Sequence, residues 1–489
     1  MTQLALYEMP KKECRRVAIS VAIPKWLPPS LALWLRQRMA ERPEGKLTVA
    51  TRFSKGERAA MKRRRPVPIS AWAEKHRILE MSAIRGRWRN VFTPYLTGIM
   101  DVSGLPGVET VIICKSPQTG GSECGHNIVG YCIDRLPGPV MYVFPDELTA
   151  RENAKDRIIP MIEASPRLRQ YMTGYGDDAS SLRINLLHMP IYLGWSGSVS
   201  RLGNKPIRIL ILDELDKYKN PKNEASSESL AEKRTTTWRT RRKVVKISTP
   251  TTDDGPIWKA LTEEAGARFD FWVRCPHCGF FQHMDFERIA WPGKDEEKSP
   301  DAETVLAKRL ATYACEYCGT VWDDGDRDRA VRGGEWRERT SGLELMAHAT
   351  VHRPVKVGFH IPAWLSYFVS LSEVAHAWLK YKESGKLDDL KNFRNQYAAE
   401  PWVESHAARS EDAILALCDD RPRGKVPGPV DGKERVSVLL ATVDTQQHYF
   451  RYVIRAYGYG ETEESWLVAS GSADNLAALE EILFGSVYA

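Results

Sequence analysis

The 489-residue sequence is too long for one compact unit, since a domain usually takes about 100–200 residues, so about three are expected. With 43% hydrophobic, 27% charged and 9% aromatic residues it is neither disordered nor fibrous, and a net charge of +7 permits a polyanionic partner without requiring one. Apolar runs are short, Glu8, Lys11, Lys12 and Glu13 stand where an export signal needs an apolar stretch, and the cysteines are scattered apart from two CxxC pairs, so the expectation excludes a membrane span, a secretory signal and a disulfide scaffold in favour of a reduced, intracellular chain.

Residues 1–75 read as a basic N-terminal arm, in which Arg52, Lys55, Arg58, Lys62, Arg63, Arg64 and Arg65 face one acid, Glu57. A phosphate-binding arm and a solvated leader both fit that run. From Trp88 to Trp258 the apolar runs Val108–Cys114, Val140–Phe144, Ile207–Leu212 and Val244–Ile247 alternate with amphipathic stretches such as Thr149–Leu168. That alternation is the pattern of an α/β parallel sheet with crossover helices, bounded here at 76–262. Residues 263–340, with both CxxC pairs, read as a small metal-stapled insertion, 341–420 as a helical lid with helices over Ser372–Tyr397, and 421–432 as a Pro- and Gly-rich linker. After it, Val436–Val443, Tyr449–Tyr457 and Ser465–Ser470 predict three strands and Asn475–Leu483 a helix, a domain that reads as cut short.

The run ending at Cys114 leads directly into Lys115, Ser116, Pro117, Gln118, Thr119, Gly120, Gly121 and Ser122, then an apolar-periodic helix. Strand, small-residue loop and helix form the setting in which backbone N–H groups cradle a triphosphate. On the GxxxxGK[ST] pattern, Gly120 takes the second glycine position and Ser122 the Mg²⁺-binding hydroxyl, while Gly121 occupies the lysine position and the cation moves to Lys115 at the loop's start. An ordinary strand-to-helix turn is the alternative. The run to Leu212 ends in Asp213 and Glu214, carboxylates suited to holding Mg²⁺ and to activating the water that attacks the γ-phosphate. Ser248, Thr249 and Pro250 close a third run, either as sensors of that phosphate or as a helix cap and turn.

Between Lys233 and Lys246 seven cations, among them Arg239, Arg241, Arg242 and Lys243, occur without an acid, a candidate nucleic-acid track or a solvated face. Cys275 and Cys278 with Cys315 and Cys318, each pair followed by glycine, match a closed tetrahedral Zn²⁺ site that holds structure without doing chemistry; a redox pair is the alternative. Asp444, ending the first strand of the last domain, is either structural or the first ligand of a two-metal Mg²⁺ or Mn²⁺ nuclease, with Glu461, Glu463 and Glu464 as further donors.

In this order, Arg87-Trp88, Lys115–Glu123, Tyr142–Pro145, Arg157–Leu168, Asp213–Asp216, Ser248–Pro250, the two CxxC pairs, Val357–His360, Asn395–Trp402 and Val443–Gln446 resemble the large terminase subunit of tailed bacteriophages, in the branch typified by lambda. The resemblance implies a P-loop ATPase that pumps double-stranded DNA into a procapsid, joined to an RNase H-like endonuclease that cuts concatemers. It implies ATP and Mg²⁺ at Lys115, Gly120 and Ser122, Walker B acids at Asp213 and Glu214, a coupling motif at Ser248–Pro250, and the first nuclease acid at Asp444. It suggests Arg201 as an arginine finger acting in trans. It further implies a homo-oligomeric ring, a small terminase subunit and a portal protein as partners, and the cytoplasm of the infected bacterium as location. The family's nuclease carries further acids on a later strand, whereas this sequence stops at Ala489, so the expectation is ATP hydrolysis without DNA cleavage from these residues alone. A zinc-bearing helicase or remodeller is the rival enzyme, expected to add strands after Pro250; a DNA-binding relic without activity is the non-enzymatic rival.

Overall fold

The computed structural model describes residues 4–5, 15–19, 29–40, 47–51, 67–80, 82–222, 224–294, 301–403, 418, 420–430, 434–446, 449–459 and 464–488. The cationic run Arg52–Arg65, Glu461 and Glu463 lie outside them. The chain divides into two compact units, 1–403 and 404–489.

Seven parallel strands form the centre of the first unit: β1 (Thr110–Lys115), β2 (Val140–Phe144), β3 (Met189–Trp195), β4 (Ile209–Asp213), β5 (Lys243–Ser248), β6 (Ala267–Arg274) and β7 (Lys356–Ile361). They lie in the order β6-β7-β1-β5-β4-β2-β3, and antiparallel strands extend both edges to make eleven. Alternate residues of one strand enter two separate cores. Val111, Ile113, Ile211 and Val245 pack on one face, whereas Ile112, Cys114, Leu210 and Val244 pack on the other. A sheet covered on both faces requires continuous apolar strands, which is why these runs show no polar alternation. No described helix is long and apolar enough to cross a membrane.

The expected boundary at 262 is corrected by β6 and β7. Both follow Pro250 and both belong to the main sheet, β7 lying directly beside β1. The insertion is therefore confined to the segment between β6 and the edge strand Glu335–Glu338, itself paired with β6. Added strands after Pro250 consequently do not separate a helicase from a packaging motor.

The second unit is an antiparallel meander of β8 (Val436–Thr445), β9 (Phe450–Gly458) and β10 (Ser465–Ala473), followed by a helical turn at Leu476–Glu480. Tyr452, Ile454, Ala456, Val468 and Leu479 form its small core. β8 is an edge strand, and its Val438, Leu439, Leu440 and Val443 are exposed.

Candidate active site

β1 runs through Ser116–Gly120 into helix α1 (Gly121–Arg135), whose first amides are free to meet an anion. Gln118 (φ 57°) and Gly120 (φ 78°) take left-handed backbone conformations, giving the tight turn that aims the loop back over the strand end. The Lys115 side chain folds over the same turn. A β-carbon on Gly121 would lie 2.4 Å from Lys115 Cδ. Glycine precedes Ser122 because the lysine from the other end of the loop fills that volume.

Distant segments pin this loop. The Ser116 amide donates to the Ile361 carbonyl (2.9 Å) and its hydroxyl to the Tyr397 carbonyl (2.9 Å). The Ser366 hydroxyl donates to the Gln118 carbonyl (2.9 Å), the Tyr95 hydroxyl to that of Thr119 (3.1 Å), and the Thr119 hydroxyl to that of Ser116 (2.7 Å).

β5 separates β1 from β4, and register sets Ser248 beside Cys114 and Asp213 beside Ile247, so the three strand ends share one edge. Asp213 is 3% exposed, accepts a hydrogen bond from Tyr142 Oη (3.2 Å), and has the Ser122 hydroxyl close enough to hold its carboxyl down. Burial raises its carboxyl, and Lys115 pulls it back down; burial also lowers the Lys115 ammonium, against the pull of Asp213 and Glu214. Ser122 and Asp213 thus place a hydroxyl and a carboxylate together, a donor set that suits Mg²⁺. Glu214 is held in the left-handed region (φ 54°), a conformation costing about 1–3 kcal/mol that is typical of functional sites. Its carboxylate pairs with Lys217 at 3.1 Å.

Asp216, to which the sequence assigns no chemistry, ties the strand ends together. Its amide donates to the Ser248 hydroxyl (3.0 Å), and its carboxylate accepts from the amides of Thr251 and Ile257 (2.8 Å each). Asp216 therefore ties the Asp213-Glu214 turn to Ser248 and to the segment after Pro250.

A cavity of about 440 Å³ opens over the loop, lined by Lys115, Gln118, Gly120, Gly121 and Ser122, and also by Arg87, Trp88, Glu123, His126 and Arg157. Asp213 reaches it through Ser122 and does not itself form a wall. Arg201 is exposed on Val199–Gly203 with its guanidinium 5.2 Å from the Trp195 ring. It stands beyond β3, four strands from β1 and roughly 19 Å across the sheet, outside this cavity.

The cationic run is less free than its sequence suggests. Arg242 pairs with Glu109 (2.7 Å), the Lys243 ammonium is taken by the carbonyls of Leu105 and Val108, and Lys246 is buried among Glu228, Glu232 and Glu264. Arg239 and Arg241 remain exposed. Acids outside the run pair with two of its seven cations, Arg242 and Lys246, which the absence of acids within it concealed.

The four sulfurs of Cys275, Cys278, Cys315 and Cys318 lie within 4.8 Å of one another, with Cys275–Cys318 and Cys278–Cys315 both at 3.9 Å. A tetrahedron with Zn–S bonds of about 2.3 Å has edges of roughly 3.8 Å, so the cluster fits a zinc ion. Gly279 and Gly319 adopt φ of 76° and 67°, closing two matching turns. Asp444, at the end of exposed β8, accepts from Gln446 Nε2 (2.6 Å). Glu464 pairs with Arg435 at the opposite end of the meander, about 27 Å along β8 from Asp444, and is corrected as its co-ligand. Among the described residues no carboxylate cluster forms around Asp444.

A family model described as the phage terminase large subunit gpA, ATPase domain, matches residues 82–336, and one described as the terminase large subunit gpA, endonuclease domain, matches 356–481, starting on β7. The chain is 25% identical over 422 residues to the terminase large subunit of Enterobacteria phage P21, covering 82% of this chain and 62% of that protein. It is 26% identical over 433 residues to that of Escherichia phage lambda, covering 83% and 62%. The chain thus spans 62% of the length of each relative. The solved large terminase of bacteriophage HK97 overlaps 83% of this chain and 67% of its own at 11% identity, with a TM-score of 0.38.

Proposed function

From the premise that the chain belongs to the phage terminase large subunit family, gpA type, we propose that it is an ATP-driven translocase that packages viral double-stranded DNA into a procapsid. One observation carries the reading: Lys115 and Ser122 line the cavity over a strand-loop-helix turn, with buried Asp213 beside them. Lys115 and the amides from Ser116 to Ser122 hold the phosphates of ATP, Ser122 and Asp213 hold Mg²⁺, and Glu214 leaves Lys217 to activate water. Asp216 relays the state of that turn to Ser248–Pro250. Arg239 and Arg241 contact DNA phosphates, while Arg242 and Lys243 serve the fold. Arg201 acts on a neighbouring copy in a ring.

The Cys275, Cys278, Cys315, Cys318 cluster holds structural Zn²⁺ between β6 and the 335–338 strand. The ATP-hydrolysing unit runs through 403, and 433–489 begins an RNase H-like endonuclease whose Asp444 binds Mg²⁺ or Mn²⁺ only with additional acids. Working partners are a small terminase subunit and a portal protein, in the cytoplasm of the infected bacterium. Glu214→Gln is expected to abolish DNA-stimulated ATP turnover while ATP binding persists, by phosphate-release assay beside calorimetry. Unchanged turnover would remove Glu214 from the mechanism, and a parent chain with no ATP turnover would leave the non-enzymatic rival standing.

A further inference from the structure

Glu123 poses a physical problem for a polyphosphate site. Its carboxylate follows Ser122 in the first turn of α1 and lines the same cavity, where it would repel an anionic ligand unless compensated. It is compensated. Arg77, 3% exposed, donates to Glu123 Oε2 at 2.7 Å, and the Arg157 guanidinium lies 3.8 Å from Oε1. Burial pushes the Glu123 carboxyl up, but His126, Arg77 and Arg157 outweigh it and hold it down to about 2, so the group stays ionised. Arg77 offsets the Glu123 charge from behind, and Lys115, Arg157, Arg87 and Arg89 leave the wall itself with a net positive charge.

Arg157 arrives from a distant part of the chain. The helical segment from Glu147 opens into a π turn over Ala154–Ile158, anchored by fully buried Ala154 and Ile158. Such turns recur at functional sites. Its side chain is 44% exposed and forms part of the wall shared by Lys115, Gly121 and Ser122. A planar guanidinium held beside a loop that binds phosphate is suited to paired hydrogen bonds with phosphate oxygens.

We propose that Arg157 contacts the polyphosphate of the bound nucleotide directly, and that Glu123, itself fixed by Arg77, is the positioning residue that aims it. The inference rests on the nucleotide reading of this cavity. Arg157 is then a binding residue contributed in cis, distinct from Arg201, and Glu123 acts by orienting it without touching the nucleotide.

The test uses the 489-residue chain with Mg²⁺ and ATP, measuring affinity by calorimetry, KM and kcat by phosphate release, and Tm for each variant. Arg157→Ala is expected to weaken ATP affinity and raise KM about 10- to 100-fold, the range for one charge-assisted hydrogen-bonding group, with Tm nearly unchanged. Arg157→Lys recovers part of the loss. Glu123→Gln keeps the size of the side chain but releases the guanidinium, raising KM by about 3- to 10-fold with a smaller change in kcat. Arg157→Ala binding ATP as tightly as the parent overturns the proposal. So does Glu123→Gln lowering Tm while KM stays at the parent value. A parent chain that binds no ATP refutes the nucleotide reading itself, which separates the two failures.

Discussion

Lys115 and Gly121 act as a pair, and neither can be understood alone. The lysine needs the space that a side chain at 121 would occupy, so Gly121→Ala is expected to displace Lys115 and abolish ATP binding, with little loss of Tm because the clash is with a long side chain at the cavity edge. Retained binding in a filter or calorimetric assay would contradict that account. Asp134, at the far end of α1, shows the opposite use of a charged group. It is buried and accepts hydrogen bonds from Trp72 Nε1, Arg167 Nε and Tyr171 Oη, each at 2.9 Å. Burial raises its carboxyl, yet those donors overcome the effect and hold it at about 2. A carboxyl lowered on folding contributes stability that is present above its unfolded value near 3.9 and is lost as pH falls toward 2. Asp134→Asn should therefore cost roughly 2 kcal/mol at pH 7 and flatten the loss of Tm between pH 5 and 2. Equal slopes in parent and variant would exclude it.

The elements differ in how openly they are written. β2 is found where the spacing puts it, and β1, β4 and β5 within two residues, because strands buried on both faces are continuous apolar runs bounded by turn residues. β6 is less openly written: it alternates buried Ala267, Phe269, Phe271 and Val273 with polar or half-buried positions, and it lies directly before the first CxxC pair. The two CxxC turns are legible because the spacing of a metal site is local, with each pair forming a single turn closed by glycine. The purified chain is expected to carry a single zinc ion, lost in Cys278→Ser together with several degrees of Tm, by metal analysis and calorimetry. A metal-free parent with unaltered Tm would exclude the assignment. The cationic run shows the limit of one-dimensional charge counting, since Glu109 pairs with Arg242 and Glu228, Glu232 and Glu264 surround Lys246, while Arg239 and Arg241 stay exposed.

The whole first unit depends on a return of the chain. β7 pairs with β1 across an interval that contains the cysteine cluster, and Ile361, Ser366 and Tyr397 then hold the Ser116–Gly120 loop. A chain ending at 262 would leave β1 as an edge strand paired only with β5 and the loop without these contacts, so it is expected to aggregate, whereas 1–403 should unfold cooperatively and bind ATP. Cooperative unfolding of 1–262 with retained ATP affinity would restore the sequence boundary. The residues proposed to handle phosphate and metal stand out in the amino-acid order alone, because a loop between a strand and a helix, carboxylates at a strand end and CxxC turns are local patterns whose chemistry depends on neighbours in sequence. Only the tertiary structure decided that β5 lies between β1 and β4, that Asp216 joins two strand ends, that Arg77 and Arg157 meet at Glu123, and that Glu464 is remote from Asp444. Those are pairings across long loops, set by which buried faces and charges complete one another in space, and no local periodicity encodes them.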